Sequence, residues 1–199
     1  KKEQFFQFML PKIRLANTKI RVERSSLQDL TDRNKDELIL TDADKKFLGA
    51  LKLKYKISEE REALDSINAL LTKIDEVPAS LVLAQSANES GWGTSRFAIE
   101  ARNMFGIWCF REGCGIKPLQ RAAGKKYEVA KYETIQASVE AYMLNINSHP
   151  AYRELRRIRS EARADNSYLS GMALAEGLET YSVRGEDYVE EIKQLIRIN

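Results

Sequence analysis

Apolar residues at helical spacing run through most of this 199-residue chain, and this pattern constrains its fold more than any other feature. The first stripe consists of residues three and four apart: Phe5, Phe8, Met9 and Ile13. Pro11 predicts an interruption of this helix, and Ser58 is predicted to cap the start of a later one. We therefore predict that residues 1–76 form an N-terminal helical region.

Residues 107–134 break the helical pattern. The stretch GIKPLQRAAGKKYEVAKYET combines turn residues with short alternation of apolar and polar side chains. This combination predicts a small β-hairpin with Ala123 and Gly124 near its tip. Helical stripes resume at residue 134 and continue to the end of the chain. The predicted fold class is mainly α, with one small β-hairpin lobe inserted among the helices.

Composition and charge exclude several function classes. The chain has 32 basic and 29 acidic residues and one histidine, so its net charge of +3 is too small to indicate nucleic-acid binding. A single histidine makes a zinc site improbable, and we predict no metal and no cofactor. No apolar run approaches the roughly 20 residues that a transmembrane helix needs. The first residues, KKEQFFQFMLPKIR, lack a cleavage-site pattern and are not predicted to be a signal peptide.

Two cysteines, Cys109 and Cys114, flank a short loop that contains Gly113. Their spacing is not that of a C-x-x-C redox motif. A disulfide between them would staple the loop and would favour an oxidising compartment such as a periplasm. Two unpaired thiols near a turn are the alternative, and we predict the disulfide.

The stretch AQSANESGWGTS, residues 84–95, ends an apolar helix in a carboxylate. Glu89 falls in the predicted last turn, where the negative end of the helix dipole disfavours a charged carboxylate. Desolvation by a neighbouring aromatic such as Trp92 would raise the pKa of Glu89 further. A raised pKa is what a proton-donating acid needs at neutral pH. The alternative is an ordinary surface acid at a helix end.

Three blocks in order resemble the N-acetylglucosaminidases of glycoside hydrolase family seventy-three, which includes flagellar peptidoglycan hydrolases. The first block, AQSANESGWGTSRFAIEARNMFGIW, matches through Gln85, Glu89, Ser90, Gly91, Trp92, Gly93, Ala101, Asn103, Phe105, Gly106 and Ile107. The second matches through Lys131, Tyr132, Thr134, Ser138, Tyr142, Pro150 and Tyr152. The third matches through Tyr181, Ser182 and Tyr188, but Arg184 stands where the family has Asp, and one extra residue precedes Tyr188. The N-terminal helices, WCFREGCG and NSHPAY resemble the bacterial Bax-type members.

The resemblance implies a lysozyme-like helical domain over residues 77–199 and hydrolysis of the β-1,4 bond after N-acetylglucosamine in peptidoglycan glycan strands. Glu89 would be the general acid, and the Tyr181 hydroxyl would bind the acetamido group of the sugar or a water. The remaining predicted substrate-binding residues are Trp92, Phe105, Tyr132, Asn103 and Ser90. Phe105 and Tyr132 have plain core packing as their alternative. The chain would act in the periplasm or elsewhere in the cell envelope.

The second carboxylate that most glycosidases use has no clear counterpart. The family places it before the Lys-Tyr strand, where this chain reads LQRAAGKK. Glu128 is the predicted candidate, because strand alternation puts it on one face with Ala130 and Tyr132. Glu112 is a second candidate, and assistance by the acetamido group of the substrate would need neither.

Two other functions compete with the glucosaminidase. A lytic transglycosylase would share the helix-end Glu89 and the substrate, but would close the muramic acid onto itself without water. A cell-wall-binding module would lack catalysis altogether. The basic stretch RELRRIRSEARAD is interpreted as a solvated helix face, available at most to anionic wall polymer.

Overall fold

The computed structural model describes residues 1–33, 39–119, 121 and 124–199. These residues form nine α-helices and three short strands, which confirms the predicted fold class. The helices are α1 (Lys2–Arg33), α2 (Asp42–Lys54), α3 (Ala63–Lys73), α4 (Ala79–Ser90), α5 (Arg96–Glu100), α6 (Ile135–Ser148), α7 (Arg153–Ala164), α8 (Gly171–Ala175) and α9 (Glu186–Ile198). The strands are β1 (Trp108–Cys109), β2 (Gly115–Ile116) and β3 (Glu128–Ala130). Single 3₁₀ turns cover Pro150–Tyr152 and Glu176–Leu178.

The long helix α1 follows its apolar stripe without the interruption predicted at Pro11. The helix continues through this residue because Met9 and Ile13 are buried on either side of it, while Pro11 itself faces solvent. The free energy gained by burying that stripe offsets the backbone hydrogen bond that proline cannot donate.

The predicted start of α3 at Ser58 is also wrong. The helix begins at Ala63, and Glu62 precedes it without a side-chain cap. The buried ammonium of Lys52 donates to the carbonyl oxygens of Glu59 and Arg61 at 2.8 and 3.0 Å. These contacts hold the segment before Ala63 as a turn.

The hydrophobic core is continuous from Phe5 in α1 to Ile192 in α9. Helix α1 packs against α3, α4 and α6, and α4 packs in turn against α8 and α9. Helix α4 therefore lies at the centre of the helical part, with its buried residues directed to several neighbours. The division at residues 76 and 77 stays a prediction.

The basic helix α7 is solvated on one side only. Arg153, Arg157 and Arg163 are exposed, as the sequence interpretation expects, but Arg156 and Arg159 are buried. Arg159 is fully buried. Its guanidinium donates to the carbonyl oxygens of Thr72 and Lys73 in the last turn of α3. It also donates to those of Asp75 and Glu76, which follow the helix. The guanidinium of Arg156 donates to the carbonyl oxygens of Ile146 and His149 at the end of α6. These arginines satisfy helix-end carbonyls that would otherwise be buried without donors.

The sheet has the strand order β1-β3-β2, with both pairs antiparallel. Strands β2 and β3 form the arms of the predicted hairpin, and β1 adds a strand that the sequence analysis did not predict. Of its predicted tip, Ala123 lies outside the described residues. A disulfide joins Cys109 to Cys114, with a Cα–Cα distance of 6.2 Å, and ties the end of β1 to the start of β2. None of the described helices combines the length and apolar character needed to cross a bilayer.

Candidate active site

Helix α4 ends abruptly just after Glu89 because three successive residues adopt left-handed backbone conformations. Gly91, Trp92 and Gly93 have φ values of 55°, 61° and 78°. The Trp92 amide donates to the Ala87 carbonyl oxygen at 2.9 Å, which closes the helix end. Glycine accepts these φ values at little cost, so the two glycines allow the turn and leave Glu89 in the last helical turn.

Ser90 fixes the turn from inside the protein. Its side chain is fully buried, and its hydroxyl donates to the Ser86 carbonyl oxygen at 2.6 Å. The same hydroxyl accepts from the Gly93 amide at 2.7 Å. Ser90 therefore shapes the backbone beside the acid and has no surface exposed to a ligand.

The carboxylate of Glu89 is half-buried between α9 and the turn before β1. The Tyr188 hydroxyl donates to Glu89 Oε1 at 2.8 Å. A Cβ atom on Gly106 would lie 3.6 Å from Glu89 Oε2, so the bare backbone of this glycine adjoins the second carboxylate oxygen. The absence of a side chain at position 106 leaves room next to Oε2.

Burial raises the pKa of Glu89 above its ordinary value of 4.5, and the nearby Glu191 carboxylate adds to this rise. The hydrogen bond from Tyr188 and the positive charge of Arg184 act in the opposite direction and are outweighed by burial and Glu191. The environment thus favours the protonated carboxyl, which is the form that a general acid requires.

A buried chain of hydrogen bonds supports the carboxylate. The Tyr142 hydroxyl donates to Gln85 Oε1, and Gln85 Nε2 donates to the Tyr188 hydroxyl oxygen at 3.0 Å. Burial raises the pKa of both tyrosines well above 10, so both hydroxyls remain protonated. Tyr188 therefore has a hydrogen to donate, and the amide of Gln85 directs it towards Glu89.

Asn103 organises the turn that carries Gly106. Its Nδ2 donates to the carbonyl oxygens of Ile107 and Ala130, each at 2.9 Å. Its Oδ1 accepts from the amides of Phe105 and Ile107, each at 3.2 Å. The side chain is buried and fully occupied, so Asn103 positions the Gly106 backbone and ties it to β3 without facing a ligand.

Tyr181 joins the same assembly. Its ring stacks on Tyr188 with a centroid distance of 5.4 Å, and its hydroxyl donates to the Phe105 carbonyl oxygen at 2.8 Å. Phe105 itself is a core residue that stacks on Tyr142 at 4.0 Å. The half-buried Tyr181 therefore links the Gly106 turn to α9, next to Glu89.

Two other predicted binding residues lie in different surroundings. The Trp92 ring packs against Phe5 and Phe6 of α1, with centroid distances of 5.8 and 5.4 Å, and Lys2 lies over its face. Trp92 also lines a surface groove with Phe8 and Ile99. Tyr132 is half-buried after β3, and burial raises its pKa to about 12.

Glu128 lies on the buried face of the sheet. It is only 2% exposed, and its Oε2 accepts from the Gly115 amide at 2.9 Å. The Sγ atoms of Cys109 and Cys114 and a Glu128 carboxylate oxygen all lie within 4.8 Å of one another. Sulfurs joined in a disulfide offer no thiolate to a metal, so this group does not make a metal site.

Sequence reasoning missed the role of α9 around the acid. Glu191 accepts from Asn88 Nδ2 at 3.4 Å and from the Arg184 guanidinium at 2.8 Å. Tyr188 and Glu191 are three residues apart, which places them on one side of α9. The third family block contains Tyr188, and in a helix the residue three positions later lies on the same side. This spacing was the signal that could have identified Glu191.

Comparison with known proteins identifies the family of the chain. Residues 66–199 match the model of the glucosaminidase family, described as mannosyl-glycoprotein endo-beta-N-acetylglucosaminidase. The chain belongs to the glucosaminidase family. It is also 30% identical over 189 residues to Protein bax of Escherichia coli strain K12, an alignment that covers 94% of this chain and 66% of that protein. No solved structure matches the chain significantly. Membership of this family supports a glycan-hydrolysing activity.

Proposed function

We propose that this chain is a peptidoglycan hydrolase that cleaves the β-1,4 bond after N-acetylglucosamine, with Glu89 as general acid. The observation that carries the proposal is the half-buried Glu89 carboxyl, whose pKa burial raises. Family membership supports a glycan substrate, and the resemblance to the flagellar-type enzymes supports peptidoglycan. The disulfide supports a periplasmic or other envelope location, since such bonds persist in oxidising compartments.

The two oxygens of Glu89 suit different tasks in this reaction. Oε1 is held by the Tyr188 hydroxyl, which fixes the orientation of the carboxyl group. Oε2 adjoins the bare backbone of Gly106, and our proposal assigns the approach of the sugar to this side. The proton on Oε2 passes to the bridging oxygen as its bond to the anomeric carbon breaks, and the sugar that leaves departs as an alcohol. Water then completes the hydrolysis at the anomeric carbon.

In our proposal, the acetamido group of the substrate takes the role of the second carboxylate, and Tyr181 orients this group. The alternative is Glu128 as second carboxylate. Glu128 is buried and bound to the Gly115 amide, which disfavours it as a base or nucleophile. The Glu128→Gln variant keeps an oxygen that can accept from Gly115. We expect it to retain near-normal kcat/KM, and a loss of a hundredfold or more would restore Glu128 as the second acid.

Digestion of purified peptidoglycan, followed by mass spectrometry of the products, tests the reaction. We expect reducing N-acetylglucosamine ends from the wild type and a loss of about 10²–10⁴-fold in rate for Glu89→Gln. Anhydro-muramic ends would show a lytic transglycosylase instead. Equal activity of both proteins would remove Glu89 from the acid role. Binding to cell walls without cleavage by either protein would indicate a binding module.

A further inference from the structure

We propose that Trp108 and Tyr127 form a sugar-stacking subsite for the glycan strand, next in the chain to the Gly106 turn that adjoins Glu89. This inference rests on the proposed function, because it assigns a binding site to the same substrate. The two rings stack with a centroid distance of 4.4 Å and an interplanar angle of 7°. Trp108 is 53% exposed, which is unusual for so large an apolar side chain.

The register of the sheet puts both rings on one face. Trp108 of β1 is paired with Val129 of β3, and Tyr127 precedes that partner by two residues. Residues two apart on a strand share a face, so Trp108 and Tyr127 are diagonal neighbours. Cys109 and Glu128 are paired on the opposite face, where Glu128 is buried and Cys109 half-buried. Val129, on the same face as the two rings, is also buried. The lobe therefore has a supported inner face and an aromatic outer face.

The aromatic pair begins two residues after the turn that adjoins the candidate active site. Gly106 adjoins Glu89 Oε2, and Trp108 follows it by two residues. Successive Cα atoms lie 3.8 Å apart, so the Cα atoms of Gly106 and Trp108 are separated by at most about 7.6 Å. A strand with its scissile bond at Glu89 brings a neighbouring sugar within reach of the Trp108 ring.

The support beneath the aromatic pair makes it a preorganised surface. The Cys109–Cys114 disulfide fixes the end of β1, and the Glu128 carboxylate holds the β2 backbone through Gly115. Asn103 bonds to the backbone of both Ile107 and Ala130, which ties the start of β1 to the end of β3. A ring held by such a frame loses little conformational freedom on binding.

The chemistry of the lobe matches a peptidoglycan strand. The axial C–H groups of a pyranose form an apolar face, and the negative face of an aromatic ring attracts them. Residues 108–132 contain two acidic residues, of which Glu128 is buried, and six basic residues: Arg111, Lys117, Arg121, Lys125, Lys126 and Lys131. This local excess of positive charge complements the carboxylates that the strand carries on its peptide substituents.

Binding of a linear hexamer of β-1,4-linked N-acetylglucosamine by the full chain tests the subsite. All binding measurements use proteins that carry Glu89→Gln, because this substitution prevents cleavage of the hexamer. The hexamer is neutral, so its binding reports stacking separately from charge. We expect Trp108→Ala to raise the Kd about tenfold, and Trp108→Tyr to keep the Kd within about threefold of the parent. Tyr168→Ala serves as the control, because Tyr168 is also an exposed aromatic residue, at 88%, but lies by Pro78 at the start of α4.

The outcomes separate this inference from the proposed function. An unchanged Kd in Trp108→Ala, or a parent that does not bind the hexamer, would overturn the subsite whatever the reaction products are. Weaker binding in Trp108→Ala alone supports the subsite even if digestion yields no N-acetylglucosamine ends, which would defeat only the proposed reaction. In protein with Glu89 intact, Trp108→Ala should lower kcat/KM without moving the pH profile, and a moved profile would indicate damage to the acid instead.

Discussion

At the residue scale, burial and three neighbouring side chains set the protonation of Glu89. Burial and the Glu191 carboxylate raise its pKa, while the Tyr188 hydrogen bond and Arg184 lower it. Tyr188 thus has two effects, since it orients the carboxyl and also stabilises its charged form. The rate should fall as pH rises through the raised pKa of Glu89, because a general acid works only while it is protonated.

The variant Tyr188→Phe should shift the descending limb of the kcat/KM profile to higher pH. It removes a hydrogen bond that favours the charged carboxylate, so the pKa of Glu89 rises further and the acid stays protonated longer. The maximal rate should fall by about tenfold, because the carboxyl loses its orienting partner. Steady-state rates on solubilised glycan strands across the pH range measure both effects.

The variant Glu191→Gln should shift the profile in the opposite direction to Tyr188→Phe. Removal of this negative charge lowers the pKa of Glu89, so the descending limb should move to lower pH. Shifts of both variants in the same direction, or limbs that stay in place, would show that another group controls the profile.

At the scale of elements, the end of α4 and the turn from Asn103 to Ile107 define the site. The sequence predicted the first, because an apolar helix followed by Gly91 and Gly93 has an evident stop signal. It predicted Asn103 only as a ligand contact. One hydrogen-bond partner of Asn103 is Ala130, which lies 27 residues away. The four hydrogen bonds of this buried side chain form only when β3 packs against the turn, so the sequence alone could not predict them.

Asn103→Ala should destabilise the protein by about 3 kcal/mol, because it leaves several buried backbone groups without partners. Urea unfolding monitored by circular dichroism measures the change. The control, Asn68→Ala on the exposed side of α3, should cost no more than about 0.5 kcal/mol. Equal costs for the two variants would mean that Asn103 does not hold the turn.

Long-range contacts explain why the two buried arginines of α7, Arg156 and Arg159, were not predicted from sequence. A helix rich in Arg and Glu has the composition of a solvated surface, and its local pattern contains nothing that contradicts this interpretation. The carbonyl groups that Arg159 satisfies lie 83 to 87 residues earlier in the chain. Only the approach of α3 and α7 in the folded protein reveals why the guanidinium is buried.

At the scale of the whole molecule, α1 is part of the support of the site. Phe5 packs against Trp92, and a Cβ atom on Gly93 would lie 3.3 Å from the Phe5 ring. The N-terminal helix therefore braces the left-handed turn that ends α4. The sequence predicted a helix in this region but no role for it, because the partners of Phe5 lie nearly ninety residues away along the chain.

Phe5→Ala should cost about 3–5 kcal/mol of stability, since it opens a cavity beneath the Trp92 turn. Phe8→Ala on the same helix removes an equally large ring that is 47% exposed, and should cost less than about 1 kcal/mol. Thermal unfolding of both variants provides the comparison. A Phe5→Ala protein as stable as Phe8→Ala would indicate that α1 does not brace the turn.

The central claim is that the folded protein keeps the Glu89 carboxyl protonated above the ordinary glutamate range. Carbon NMR of protein labelled at the glutamate side-chain carboxyl carbons, with Glu89→Gln to assign the signal, titrates this group directly. The account predicts a pKa above 4.5 that rises further in Tyr188→Phe. A Glu89 pKa at or below 4.5 in the wild type would contradict it.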